Sequence, residues 1–562
     1  MKELSQSYQR GARQIWIVNV GDIKPMELPF SLAMDLAWNA SSITFDTLPR
    51  YLELWAAREF GGGYAQDTAA ILVEHNHLFA MRRHELVAPS TFSTLNYHEA
   101  ERILARWQAL AERAKAIYAR VPTEARPAFF QLVYHPVLSG ALYYSVTIGI
   151  GMNYKFALER RNSANSVAQQ VLKDFESSYD LTEEYDGLVG GKWANIMSQA
   201  VFDAVQQEPK SWADPSRDIL VNLSYVQLRQ NMQYTLGNLG IYAEESTSPV
   251  GQGRWVEAVD TSMPTVDAAA SALLPPMDPY GPRTRHVDLF MRGDYRVPIQ
   301  WSLEKSSVDW LSITPSSGTL SRDQMDQRLN VTIDWARVPE GFNKILNIGI
   351  TSTPSPYPYY DVIRIPVVHN KVPSDFRGFP ETAGSVSIEG PHFQRLSEGA
   401  VKFEKIPYLG SRSESGSLGL RPFTAARENG TATTVWAEYS FYLFKPTAAL
   451  EATVYINACL DTDPRLKMRF SLTLDSRPAN FTRVLGDYIK NPTVGDIPPE
   501  WLDHVADQVW TKRVVLGPAD KGPHTLRWAV NSPEVYLEKV VLSTQGGAVK
   551  ESYLGPPETT LV

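Results

Sequence analysis

The chain has 562 residues, enough for several domains, and its 43% hydrophobic and 21% charged residues make an ordinary globular composition able to bury sizeable cores. A net charge of -8 with no basic block argues against nucleic acid as the main partner, and no apolar run approaches the length of a membrane helix. The single cysteine, Cys459, excludes an intramolecular disulfide, and the polar start Met1-Lys-Glu-Leu-Ser-Gln shows no secretory signal. Asn-x-Ser/Thr sequons at Asn39, Asn222, Asn330, Asn429 and Asn480 hint weakly at an extracellular protein.

In chain order, the β-branched run Ile15-Trp-Ile-Val-Asn-Val20 reads as a buried parallel strand that opens at Gly21 into a loop carrying Asp22, Lys24 and Glu27, stiffened by Pro25 and Pro29. A carboxylate beside a lysine in such a loop can act as acid, base or substrate clamp. The alternative is plain: Asp22 caps the next helix while Lys24 and Glu27 pair at the surface. From about 43 to 240 the spacing is helical. Asn96 with Glu99 reads as a capping pair ahead of Ala100, Ile103, Leu104, Trp107, Leu110, Ala111 and Ala114. Further helices are expected over Asn162–Ser178 and from Thr182, and a packed bundle accounts for nearly all of these stripes.

Residues 246–285, rich in Pro, Gly and Ser, read as a linker. Short alternating strands then run from His286 to about Val372, broken by turns such as Pro315-Ser-Ser-Gly318, as in an immunoglobulin-like sandwich. A second β region from about Gly384 to Thr544 has the look of a jelly roll. The expected fold is therefore multidomain α+β. It comprises a strand-and-loop segment over 1–42, a helical bundle over 43–245 and the linker over 246–285, then an immunoglobulin-like sandwich over 286–375 and a jelly-roll-like domain over 376–562.

Other clusters carry less chemistry. His75, His77 and His84 do not share a helix face as metal ligands would. Asp461, Asp463 and Glu389 are candidate calcium ligands in the last domain. There is no Gly-rich phosphate loop, nucleophile elbow or zinc signature, so neither a cofactor nor a resident metal is expected.

The stretch Trp16-Ile-Val-Asn-Val-Gly-Asp-Ile-Lys-Pro-Met-Glu27 with Asp35-Leu-Ala-Trp-Asn39 resembles the late-barrel motif of glycoside hydrolase family 115, the xylan α-1,2-glucuronidases. Met81-Arg-Arg-His-Glu-Leu86, Phe130-Gln-Leu-Val-Tyr-His-Pro-Val137, Arg161-Asn-Ser-Ala-Asn165, Gly191-Lys-Trp193, Gly240-Ile-Tyr-Ala-Glu-Glu245 and Ser552-Tyr-Leu-Gly-Pro-Pro-Glu558 are similar to further family stretches, in the same order. The resemblance implies that residues 1–42 are the last part of a (β/α)8 catalytic barrel, and it implies an extracellular, inverting enzyme that removes glucuronic acid or its 4-O-methyl ether from acidic xylan or glucuronoxylan. It implies Glu27 as one catalytic carboxyl and Lys24 as a point charge for the sugar's carboxylate. Asn19, Asp22, Trp38, Asn39, Arg82 and Arg83 follow as substrate-binding candidates, the two arginines otherwise pairing with Glu85.

The family's other carboxylate candidates lie on earlier barrel strands, so the chain reads as a C-terminal portion with little activity by itself. Where relatives tend to carry an acidic residue and two histidines after Lys-Trp, this chain reads Ala194-Asn-Ile-Met-Ser-Gln-Ala-Val201. The rival expectation is a non-catalytic relative that binds acidic polysaccharide or supports a homodimer.

Overall fold

The computed structural model describes residues 1–21, 23–197, 220, 223–228, 239–247, 272–353, 359–425, 435–461, 467–486, 489–491, 495–498, 500–544 and 549–562. Its first third is helical: α1 (Lys2–Gln9), α2 (Glu27–Trp38), α3 (Leu48–Phe60), α4 (Ala65–Ala80), α5 (Glu99–Tyr118), α6 (Arg126–Phe129), α7 (His135–Leu158) and α8 (Ala164–Gly187). The buried stripe Ala100, Ile103, Trp107, Leu110 and Ala114 of α5 packs on α7, where Trp107 stacks on Tyr144 with ring centroids 5.0 Å apart. Gly140 lets the helices approach, because a Cβ there would overlap the Trp107 ring. No described helix is long and apolar enough to cross a membrane.

Three sequence expectations are corrected here. Residues 15–20 form no strand, and Ile15 and Ile17 are 80% and 88% exposed. A parallel strand needs neighbours for its backbone groups, and no described strand pairs with this one. Thr182 does not start a helix: its hydroxyl donates to the Ser178 carbonyl at 3.1 Å inside the unbroken α8. Glu99 makes no capping box with Asn96. It is fully buried and accepts from the backbone N–H groups of Ser93 at 2.7 Å, Tyr553 at 2.9 Å and Leu554 at 2.5 Å, while the Asn96 amide donates to the Glu551 carbonyl.

The middle of the chain folds as two facing sheets, one ordered 239–243, 284–291, 326–333, 311–314 and the other 272–273, 359–368, 343–353, 299–303, 317–320. The strand Leu239–Ala243, read from sequence as part of the helical domain, pairs antiparallel with Thr284–Met291. Of the linker read over 246–285, residues 248–271 lie outside the described residues, and strands already form at 272–273 and 284–285. The turn at Pro315-Ser316 carries the chain from one sheet to the other. Thr284–Met291 is buried on both faces because Val287, Leu289 and Met291 point into the sandwich while Phe290 meets the helical unit under Arg161, 4.4 Å from its ring. Gly240 leaves room for that Phe290 ring.

Residues 379–543 form two more sheets around one core, with central strands Ala437–Leu443, Gly522–Val530 and Arg469–Leu474 in one and Ser417–Arg421, Leu537–Ser543 and Thr447–Asn457 in the other. α1 lies against this unit: Lys2 Nζ donates to Asn457 Oδ1 at 2.9 Å and Arg10 Nη2 to the Phe423 carbonyl at 2.7 Å.

Polar side chains join the units. Asn162 exchanges two hydrogen bonds with the Gly293 backbone, and Asn165 does the same with Val226. Arg328 of the sandwich reaches both oxygens of Glu101 in α5 at 2.9 Å, and His98 stands between Glu101 at 3.0 Å and Glu244 at 3.1 Å. Burial alone would push the His98 imidazole down, but its two carboxylate partners outweigh that and hold it at about 9. Because this value is above the ordinary 6.5, the stabilisation is fully present below about pH 6.5 and disappears as pH rises through about 9. It is on the order of 3 kcal/mol. Thermal melts of the wild-type protein should lose stability between these limits, and His98→Gln should start lower and be flatter over the same range. Parallel profiles would rule out the His98 bridge.

Candidate active site around Glu27

A turn closed by the Met26 N–H donating to the Ile23 carbonyl at 2.8 Å leads into α2, whose first residue is Glu27. The amino end of a helix favours a carboxylate there. Lys24, one turn earlier, forms an ion pair with Glu27 Oε1 and lies 4.8 Å from the Trp193 ring centroid. Lys192 flanks the same ring at 4.9 Å. Trp193 packs in turn with Phe130, Leu181 and Tyr185.

Between α6 and α7 the residues Phe130–Tyr134 form a π-turn, a widened helical turn of the kind found at functional sites. It places Gln131 and His135 beside Tyr185. The His135 and Tyr185 ring centroids are 4.9 Å apart, and the Gln131 amide is next to the Tyr185 hydroxyl but outside hydrogen-bonding geometry. Glu27 Oε2, Gln131 Nε2, His135 Nδ1 and the Tyr185 hydroxyl are all buried without a hydrogen-bond partner. Burial pushes His135 down to about 4, so the imidazole is neutral near pH 7. Burial and then the nearby Glu27 charge push the Tyr185 phenol up to about 12. Orphaned polar atoms gathered like this suit a hydroxyl-rich ligand or ordered water.

The other sequence candidates are dispersed. Trp38 is 92% exposed at the far end of α2, roughly 16 Å from Glu27 at 1.5 Å per residue. Asn39 accepts from the Ser41 N–H at 3.2 Å and its hydroxyl at 2.8 Å, Asn19 is exposed in the unpaired segment, and Asp22 lies outside the described residues. Arg82 pairs with Asp507 and donates to the Leu86 carbonyl, so it ties the helical unit to the C-terminal β unit. Arg83 is exposed on an open cleft of 420 Å³ between α1 and the C-terminal unit, and the Glu85 side chain lies outside the described residues.

The calcium candidates are separately engaged. Asp461 takes Arg483 at 2.7 Å, Glu389 accepts from the Ser413 hydroxyl and two backbone N–H groups, and Asp463 lies outside the described residues. Glu389, His392 and Glu558 do gather ligand atoms within 4.8 Å, but Glu558 is committed to His392, whose pKa is raised by hydrogen bonding to it. His75 and His84 are buried against the Trp107 ring, and burial pushes both down to about 4.

Residues 1–86 match the profile of glycosyl hydrolase family 115, and residues 378–558 match that of the glycosyl hydrolase family 115 C-terminal domain. The two matches support glycoside hydrolase family 115 for this chain. The Glu27 loop falls inside the first family-115 match. A solved family GH115 4-O-methyl-α-glucuronidase, described as specific for decorated arabinogalactans, has the same fold at 16% identity and a TM-score of 0.53. The match covers 97% of this chain and 48% of that one, so this chain spans about half the length of its solved relative. A Podospora anserina mannanase with a family-35 binding module matches 29% of this chain and 28% of its own at 12% identity, with a TM-score of 0.18. A laminarinase binding module from Zobellia galactanivorans matches 28% of this chain and 98% of its own at 12% identity, with a TM-score of 0.17. No curated protein matches the chain.

Reading the residues alone missed Gln131, His135, Tyr185 and Trp193 as neighbours of Glu27, although three of them stand in stretches that resemble the family. Because the Tyr185 hydroxyl has no partner, Tyr185→Phe should leave the melting midpoint unchanged or raised, within about 1 kcal/mol. A loss of about 1–3 kcal/mol would mean that the hydroxyl is a bonded part of the core.

Proposed function

We propose that this chain carries one side of the active site of an inverting glycosidase that removes glucuronic acid or its 4-O-methyl ether from polysaccharide side chains. The observation that carries the reading is the Lys24–Glu27 pair at the start of α2, set against Trp193 and the unpartnered groups of Gln131, His135 and Tyr185. Inversion needs two carboxyl groups roughly 6.5–9.5 Å apart. Glu27, ion-paired to a lysine, acts as the base. It takes a proton from water while the water oxygen bonds the anomeric carbon, the glycosidic bond breaks, and the departing sugar oxygen takes its proton from the second carboxyl. Lys24 keeps donors for the uronic acid carboxylate, and the indole of Trp193 offers the sugar ring a flat apolar face.

In this reading residues 1–42 are the last part of a barrel. The exposed run at 15–18 is a strand that further barrel strands cover, and the second carboxyl comes with them. Action on a plant-type polysaccharide, glucuronoxylan or a glucuronidated arabinogalactan, goes with a secreted enzyme. The altered stretch Ala194–Val201 favours a second reading, a non-catalytic relative that holds acidic polysaccharide.

The test is release of glucuronic acid or its methyl ether from both polymers, by the purified protein alone and with the N-terminal half of a family-115 enzyme supplied in trans. Glu27→Gln should cut release by about 10²–10⁴-fold, and Lys24→Met should act mainly on KM. No release by folded protein under either condition would overturn the enzymatic reading.

A further inference from the structure

A cavity of 170 Å³ lies where α4, α5, the C-terminal β unit and the chain's tail meet, far in sequence from Glu27. The carboxylates in its wall are all answered. Glu389 accepts from the Ser413 hydroxyl at 3.0 Å, the Glu414 N–H at 3.0 Å and the Ser415 N–H at 2.8 Å. Glu558 accepts from the Glu389 N–H at 2.8 Å and pairs with His392 at 2.7 Å, and Glu414 pairs with Arg106 at 2.7 Å.

The cations in the same wall make no direct ion pair, although Glu389 acts on Lys539, Glu99 and Glu414 act on Arg102, and the Arg412 guanidinium lies 3.6 Å from the Tyr553 ring centroid. Lys539, buried, donates to the carbonyls of Leu554 at 3.1 Å and Pro556 at 3.3 Å. Arg412, also buried, reaches the Ser411 hydroxyl at 3.2 Å and the Met81 carbonyl at 3.4 Å, and its Nε has no partner. Arg102 donates to the Tyr97 carbonyl at 3.1 Å. Among the described residues none of the three has a carboxylate within ion-pairing distance. His77 adds a buried Nε2 without a hydrogen bond.

A buried cation lacking its counter-charge is strongly unfavourable, and burial pushes the pKa values of Lys539 and Arg102 down accordingly. Three cations without a direct carboxylate contact line one cavity, one of them with a free guanidinium N–H, while the carboxylates of that cavity are bound to other donors.

We propose that this cavity binds a small oxyanion of phosphate or sulfate size, held by Arg412, Lys539 and Arg102 with His77 at its edge. The bound anion would cross-link the helical unit, the β unit and the tail, and so stabilise the fold by linkage. The proposal is independent of the glycosidase reading.

The experiment is thermal melting and calorimetric titration of the full chain in chloride buffer at constant ionic strength, with low-millimolar phosphate in one arm and sulfate in the other. Wild-type protein should show a saturable rise in melting midpoint of about 3 °C. Arg412→Met should abolish the rise. Should that variant fail to fold, the less buried Arg102→Met should weaken binding at least about tenfold. Lys24→Met should bind as wild type. A non-saturating rise equal in wild type and Arg102→Met would be the general stabilisation by excluded salts and would overturn the proposal, as would no rise at all. Loss of binding in Lys24→Met would also overturn it, since the anion would then sit at the other site.

Discussion

The amino end of α5 holds the molecule together. Within four residues the chain presents His98, Glu99 and Glu101, and each ties the helical unit to a distant part. Glu99 is buried with three backbone N–H groups on its carboxylate, two of them from the tail at Tyr553 and Leu554. Glu101 takes a two-pronged bond from Arg328, and His98 links Glu101 to Glu244. Removing one partner of a buried, hydrogen-bonded charge leaves the other uncompensated, which costs more than the pair contributes. The arrangement is therefore specific as well as stabilising, because the charges fit only when the three units stand in one relation.

That relation gives the Glu27 site its wall. Lys24 and Glu27 come from a segment with few packed neighbours of its own, whereas Tyr185, His135 and Gln131 come from the rigid α7–α8 region. A site made of one loosely packed loop and one packed helical surface needs the helical surface to stay put, and the α5 junction braces it. The stretch Arg161–Asn165 serves the same end. Arg161 and Asn162 are buried structural groups that lock α8 to the Gly293 loop, so a stretch that resembles the family proves to be scaffold.

The parts legible in the sequence were those set by local periodicity. The stripe along α5 and the alternation Leu329, Val331, Ile333 are direct records of one buried face. Glu27 was legible through its wording, in a loop whose Lys24 stands one turn away. The remainder was hidden by distance along the chain or by missing neighbours. The pair Arg82–Asp507 joins positions 425 apart, and nothing near Arg82 signals it. Asn96 and Glu99 have the spacing of a cap, but the buried tail offers Glu99 better donors. The run at 15–20 has the composition of a buried strand and no sheet to join, so composition alone could not make it one.

The most direct measurement is a crystal structure of the protein soaked with 4-O-methylglucuronic acid. The account predicts its carboxylate on Lys24 Nζ, its ring against Trp193, and hydroxyls on the polar atoms of Tyr185, Gln131 and His135 that now have no partner. A sugar bound elsewhere, with those atoms still unpartnered and the Lys24–Glu27 pair undisturbed, would contradict it.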